Sequence, residues 1–224
     1  MLRRKIFEVC TGSLQSVINA VEGGAERIEL CESLNVDGLT PSWNLFRNVR
    51  AQFPHLIVHI LIRPRKGDFI YTEKEKVAIL KDIRKAVEYG ADGIVSGALL
   101  PDGSIDIPFL REMLSASQGI PFTFHRAFDV CNNPLQALTE LKAEGVSRIL
   151  TSGQQPTAAA GIPLLKKLVE KADGQLIIMP GGGVSSENVS TILKATGAME
   201  IHGSAKKGEK ETSADEVRSI LKQL

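Results

Sequence analysis

Two short segments of the chain read alike: Glu8-Val9-Cys10 and Glu29-Leu30-Cys31. In each, an acid and a thiol stand two residues apart, the spacing that puts both on one face of an extended strand. Neighbouring strands lie about 4.8 Å apart, so Cys10 and Cys31 on adjacent strands can share one soft metal ion. Thiolates select Cu(I) or zinc over harder ions. No Cys-x-x-Cys or His-x-x-x-His spacing marks a closed zinc site. Each cysteine reads equally as a small buried hydrophobe, and Cys131, in a loop before Pro134, reads as structural.

The same alternation groups other ionisable side chains. His59, Leu61 and Arg63 share a face, as do Thr123 and His125, and Glu200, His202 and Ser204. An unpaired buried carboxylate costs several kcal/mol, so these faces are expected to point to a common interior rather than into a helix layer. Glu8, Glu29, His59 and His125 are then candidates for acid–base chemistry. In His125-Arg126-Ala127-Phe128-Asp129, Arg126 suits an anion clamp and Asp129 an orienting carboxylate. The alternative is a structural charge network, with Glu8 or Glu29 pairing with Arg63 and each histidine satisfied by a carboxylate. The basic stretch Arg63–Asp68 suits an anionic ligand or is an exposed charged loop. Gly181, Gly182 and Gly183 precede a helix, and Ser204 follows a strand. Glycine-rich turns there let backbone N–H groups approach a phosphate, although a tight turn alone also explains them.

Short runs rich in Val, Ile, Leu and Phe are expected to be the strands that position these groups. They span Ile6–Cys10, Arg27–Cys31, Leu56–Ile62, Gly93–Ser96, Phe122–His125, Arg148–Thr151, Leu176–Met179 and Met199–His202. Helical spacing separates them, as in Leu14, Val17, Ile18 and Val21, in Val77, Leu80, Ile83, Ala86 and Val87, and in Leu135, Leu138 and Leu141. Ser13, Thr72 and Ser185 with Asn188 read as helix starts, and Pro41 and Pro134 as first-turn prolines. Gly23-Gly24, Gly90, Gly145 and Gly197 read as helix ends. Strand–helix alternation gives parallel strands with right-handed crossovers. The expected fold is α/β, a single (β/α)8 TIM barrel over residues 1–224. A dinucleotide fold would want G-x-G-x-x-G after the first strand, where Cys10-Thr11-Gly12-Ser13 stands instead.

The 224 residues approach the usual barrel length of about 250. With 27 Lys and Arg against 26 Asp and Glu, the net charge of +1 gives no electrostatic case for nucleic acid or an anionic membrane. No stretch reaches the roughly 18 apolar residues of a membrane span, and the start does not read as a signal peptide. Three cysteines without a disulfide framework favour a reducing, cytoplasmic setting. Lys206–Glu211 reads as a solvated loop, and a homo-oligomer through the outer helices is plausible.

Longer motifs in order along the chain carry a resemblance. They are Phe7-Glu8-Val9-Cys10, Gly24 through Cys31, Gly38-Leu39-Thr40-Pro41-Ser42, and Ile62-Arg63-Pro64-Arg65 with Gly67-Asp68-Phe69. Thr123 through Asp129, Leu150-Thr151-Ser152-Gly153 and Pro180–Gly183 complete the set. The chain resembles the copper homeostasis protein CutC family over nearly its whole length. The resemblance implies a cytosolic (β/α)8 barrel linked to copper tolerance, with Cu(I) held by the cysteines that match Cys10 and Cys31. The glutamates, histidines, arginines and glycines exceed what a copper carrier needs. They equally suit an enzyme acting by acid–base chemistry on a small phosphorylated or carboxylated metabolite.

Overall fold

The computed structural model describes residues 4–224. Eight strands are parallel and ordered β7-β6-β5-β4-β3-β2-β1-β8. They are β1 (Ile6–Thr11), β2 (Arg27–Leu30), β3 (Ile57–Leu61), β4 (Gly93–Ser96), β5 (Phe122–Phe124), β6 (Arg148–Thr151), β7 (Ile177–Pro180) and β8 (Glu200–Gly203). A single parallel bridge, Gly181 to His202, joins the β7 side to β8 and brings the two ends of the sheet together as a barrel. The helices around it are α1 (Leu14–Glu22), α2 (Trp43–Gln52), α3 (Glu73–Glu88), α4 (Ile107–Ala116), α5 (Pro134–Ala143), α6 (Ile162–Ala172), α7 (Val189–Thr196) and α8 (Ala214–Leu221). Among the described residues, no helix is long and apolar enough to cross a membrane.

Local chemistry explains the elements. Ser13, Ser42, Thr72, Asn133 and Ser213 each accept a backbone N–H from the first turn of their helix, and Thr72 with Glu75 forms a reciprocal capping box. The outward strand residues Val9, Ile28, Val58, Ile60, Ile94 and Phe122 are buried with Val17, Phe46, Ile79, Ile83, Phe109 and Leu138 in one large core between barrel and helices. Each such side chain contributes about 1.5–3 kcal/mol on burial. Inside the barrel, by contrast, a small apolar cluster forms, of Cys10, Cys31, Leu61 and Val95 with Leu34 against it.

The expected strands recur within a residue or so at each end, and β4 and β6 match fully. Four details differ. Pro41 precedes the α2 cap Ser42 and is not in the first turn. Asn188, not Ser185, stands at the α7 boundary, its side chain accepting the Ser185 N–H. Val77 is 66% exposed, so α3 buries the expected Leu80, Ile83 and Ala86 together with Ile79 in place of Val77. Glu211 is not solvated with the rest of its loop, because its carboxylate accepts the Ser13 and Ser16 hydroxyls at the start of α1.

Candidate functional site

The lumen is charged from its floor upward. Register places Glu8 beside Arg27 on β2 and beside His202 on β8. Arg27 Nε lies 2.9 Å from Glu8 Oε2, and its Nη2 donates to Glu200. Arg148 Nε also reaches Glu200, at 2.8 Å. The Glu8 side chain is fully buried, with His59 Nδ1 at 2.8 Å from Oε2 and His202 Nδ1 at 3.0 Å from Oε1. The Arg27 Nε and His59 approaches to Oε2 are off-axis, making them charge contacts rather than aligned hydrogen bonds. Burial alone would raise the Glu8 carboxyl, but His59, Arg27 and His202 together hold it well below the usual range. Gly93 makes room for this: a Cβ there would stand 2.5 Å from the His59 ring.

Above this layer sit the sulfurs. Register puts Cys10 beside Glu29. Cys10 Sγ donates to Glu29 Oε2 at 3.1 Å and lies 3.7 Å from Cys31 Sγ. The donor atoms of Cys10, Glu29 and Cys31 all fall within 4.8 Å of one another. Cys31 Sγ also approaches the Thr11 carbonyl at 3.5 Å. Bonding to Cys31 and burial push the Cys10 thiol well up, and burial raises the Glu29 carboxyl. Burial pushes the His202 pKa down, but Glu29, Cys10 and Glu8 outweigh it and hold it well above the ordinary imidazole value. A soft cation between the sulfurs would reverse the thiol's preference, because metal binding deprotonates a coordinating thiol.

A cavity of about 440 Å³ opens above the sulfurs, a volume suited to a small molecule. Its lining includes Cys10, Glu29 and His202 from the lumen and Arg63, His125, Arg126, Asp129, Gly182, Gly183 and Ser204 from the strand ends and loops. Arg63 is 5% exposed, and its guanidinium meets three carbonyls: Val36 and Gly38 at 2.8 and 3.0 Å, and Gly67 at 3.0 Å. The expected pairing of Arg63 with Glu8 or Glu29 is not made; Arg27 takes Glu8 instead. Arg65, from the same basic stretch, is spent on Asp68 and Glu75. His125 Nδ1 accepts the Ala127 N–H at 3.3 Å, which leaves the proton on Nε2. Burial, with Arg63 nearby, drives the His125 pKa down to about 3. Gly97 leaves the ring its space, since a Cβ there would come within 2.8 Å of Nδ1.

Asp129 sits in the 3₁₀ turn Arg126–Val130 that follows β5. It accepts N–H groups from Ser152 and Gln154 and hydroxyls from Thr151 and Ser152. It also holds Arg126 Nε at 2.8 Å. Arg126 Nη2 adds the Ser152 hydroxyl at 3.1 Å, which sets the guanidinium against Gly182. Gly182 and Gly183 have φ of +99° and +67°, a conformation costly for other residues. Gly182 N–H faces the His202 carbonyl in the β7–β8 bridge, whereas among the described residues the N–H groups of Gly183 and Ser204 have no hydrogen-bond acceptor.

Of the residues singled out from sequence, Cys10, Glu29, Arg63, His125, Arg126, Asp129, Gly182, Gly183 and Ser204 meet at this cavity. Glu8, His59, Cys31 and Gly181 lie outside its lining, the first three buried within the barrel and Gly181 in the β7–β8 bridge. Sequence reasoning missed Arg27 and Arg148, which neutralise the floor. The signal was present: each lies two residues before an inward position, Glu29 and Leu150 respectively.

A protein-family model for the CutC family matches residues 5–207. A CutC family protein from Bacteroides fragilis is 46% identical over 209 residues, 93% of this chain and 83% of that one. A human protein named copper homeostasis protein cutC homolog is 45% identical over 201 residues, 90% of this chain and 73% of its own. The crystal structure of a protein assigned to CutC from Streptococcus agalactiae superposes with a TM-score of 0.85 at 34% identity, covering 89% of this chain and 98% of that one. On these matches, and on the eight-stranded barrel with its paired Glu–Cys strands, the chain belongs to the CutC family.

Proposed function

We propose that the protein serves copper homeostasis by binding Cu(I) between Cys10 and Cys31, with Glu29 beside them. One observation carries the reading: the two sulfurs stand 3.7 Å apart at the base of a cavity that Cys10 helps to line. The donor set suits a soft monovalent ion that is satisfied by few ligands. A structural zinc site would want four, and the cluster offers three. Glu29, whose carboxylate already accepts the Cys10 thiol, is placed to take the proton that metal binding displaces. A reducing cytoplasm suits a site whose thiols must stay reduced. Titration against a Cu(I) chelator should show one ion bound per chain, with Cys10→Ser and Cys31→Ser each weakening it about a hundredfold or more. A double variant that binds as tightly as the parent rejects the assignment.

A second reading has its own support. The cavity above the sulfurs presents Arg63, Arg126, His125 and free backbone N–H groups, a set that copper does not require. It suits an enzyme acting on a small anionic metabolite, with Glu29 or His125 as proton carrier at the cavity wall. Glu8 and His59 would act only by positioning His202 and Glu29, since both lie buried outside the lining.

A further inference from the structure

Three arginines are buried or nearly so in or around the barrel lumen. Arg27 faces Glu8 and Glu200, and Arg148 faces Glu200. Arg63 has no carboxylate partner among the described residues. A guanidinium carries five N–H groups. Three of those on Arg63 go to carbonyls, and its Nε is buried without a partner. Three carbonyls and the Phe69 ring, 5.1 Å from the guanidinium carbon, offset the charge only in part. A buried cation without an anion is expensive, so Arg63 is placed to receive an anion from the cavity it lines. His125 lines the same cavity, is 4% exposed, and its Nε2 is also without a partner. Having its proton on Nε2, it offers a neutral donor near the cation. Elsewhere in the lining, Arg126 is fixed by Asp129 and Ser152 against Gly182, and Gly183 and Ser204, whose N–H groups are unaccepted, line the same cavity. Two backbone N–H donors with a guanidinium in the same lining match the oxygens of a phosphate monoester. Arg63, with fewer open donors, matches a carboxylate.

Deepening the second reading above, we propose that the cavity binds a phosphorylated small carboxylic acid, its phosphate on Gly183, Ser204 and Arg126 and its carboxylate on Arg63 with His125. The volume of about 440 Å³ accommodates such a molecule. Calorimetric titration of the whole, copper-free protein compares three probes: phosphoglycerate, glycerol phosphate and glycerate. Phosphoglycerate should bind about tenfold tighter than either single-pole probe. Arg126→Gln should weaken both phosphate-bearing probes about tenfold. Arg63→Met should erase the advantage of phosphoglycerate over glycerol phosphate. Should that variant not fold, Arg63→Lys, which keeps the charge and loses the planar fork, is read in its place. The proposal is overturned if no probe binds the folded parent, if phosphoglycerate is no better than glycerol phosphate, or if Arg126→Gln binds as the parent does. Binding is read without turnover and without copper, so a failure here is separate from failure of the catalytic or the copper reading.

Discussion

Glu200 carries two arginines on one carboxylate at the base of the lumen. Burial would raise its pKa, but Arg148 and Arg27 bring it below the ordinary value. A depressed folded pKa stabilises the protein above the unfolded value of about 4.3 and ceases to do so as pH falls through the folded value. Urea unfolding of the parent should therefore weaken on acidification through that window. Glu200→Gln should be less stable at neutral pH by about 3 kcal/mol, the cost of breaking a buried pair, and its stability should change less steeply in acid. An identical acid slope in parent and variant would show that Glu200 does not drive this loss. At this scale the period of two revealed much of the site: Glu8, Cys10, Glu29, His59 and His202 all turn inward as their spacing implies. Partner choice was not legible, because it depends on depth along the barrel axis. Arg63 lies beyond the end of β3, among loop carbonyls, whereas Arg27 lies level with Glu8.

The 3₁₀ turn Arg126–Val130 shows how one element can hold another. Its Asp129 ties the end of β6 and the following loop to the end of β5 through Ser152 N–H at 3.0 Å and Gln154 N–H at 3.1 Å, besides two hydroxyls. Replacing Asp129 by Asn keeps the shape but removes the charge and one set of lone pairs. Thermal unfolding should report a loss of about 2 kcal/mol, and hydrogen exchange at Ser152 and Gln154 should speed up. Unchanged protection at those amides would show that the loop stands without the carboxylate. Strands and helix caps were readable because their determinants are local: a polar residue before an apolar stripe, a glycine after it. The role of Asp129 in orienting Arg126 was also local, three residues apart. Its partners on the next strand's loop were not, because they are supplied by the parallel packing of β5 against β6.

At the scale of the molecule, closure followed from counting eight strand–helix units, and the first and last strands do pair, as β1 with β8. The β7–β8 seam, a single bridge at Gly181 and His202, had no sequence signature, since a ladder's length depends on how neighbouring staves tilt. What fills the barrel has a thermal consequence. Ordinary domains gain about 12–15 cal/mol/K per residue in heat capacity on unfolding, because newly wetted apolar surface raises it and newly wetted polar surface lowers it. Here the central axis that becomes hydrated is a column of Glu8, Arg27, His59, Arg148, Glu200 and His202 rather than branched aliphatics. Calorimetry should give an increment at or below the low end of that range, about 12 cal/mol/K per residue, and a value above it would count against this view. A smaller increment flattens the dome of stability against temperature, so the fold would hold its margin over a broader span of warm and cold than its size alone implies.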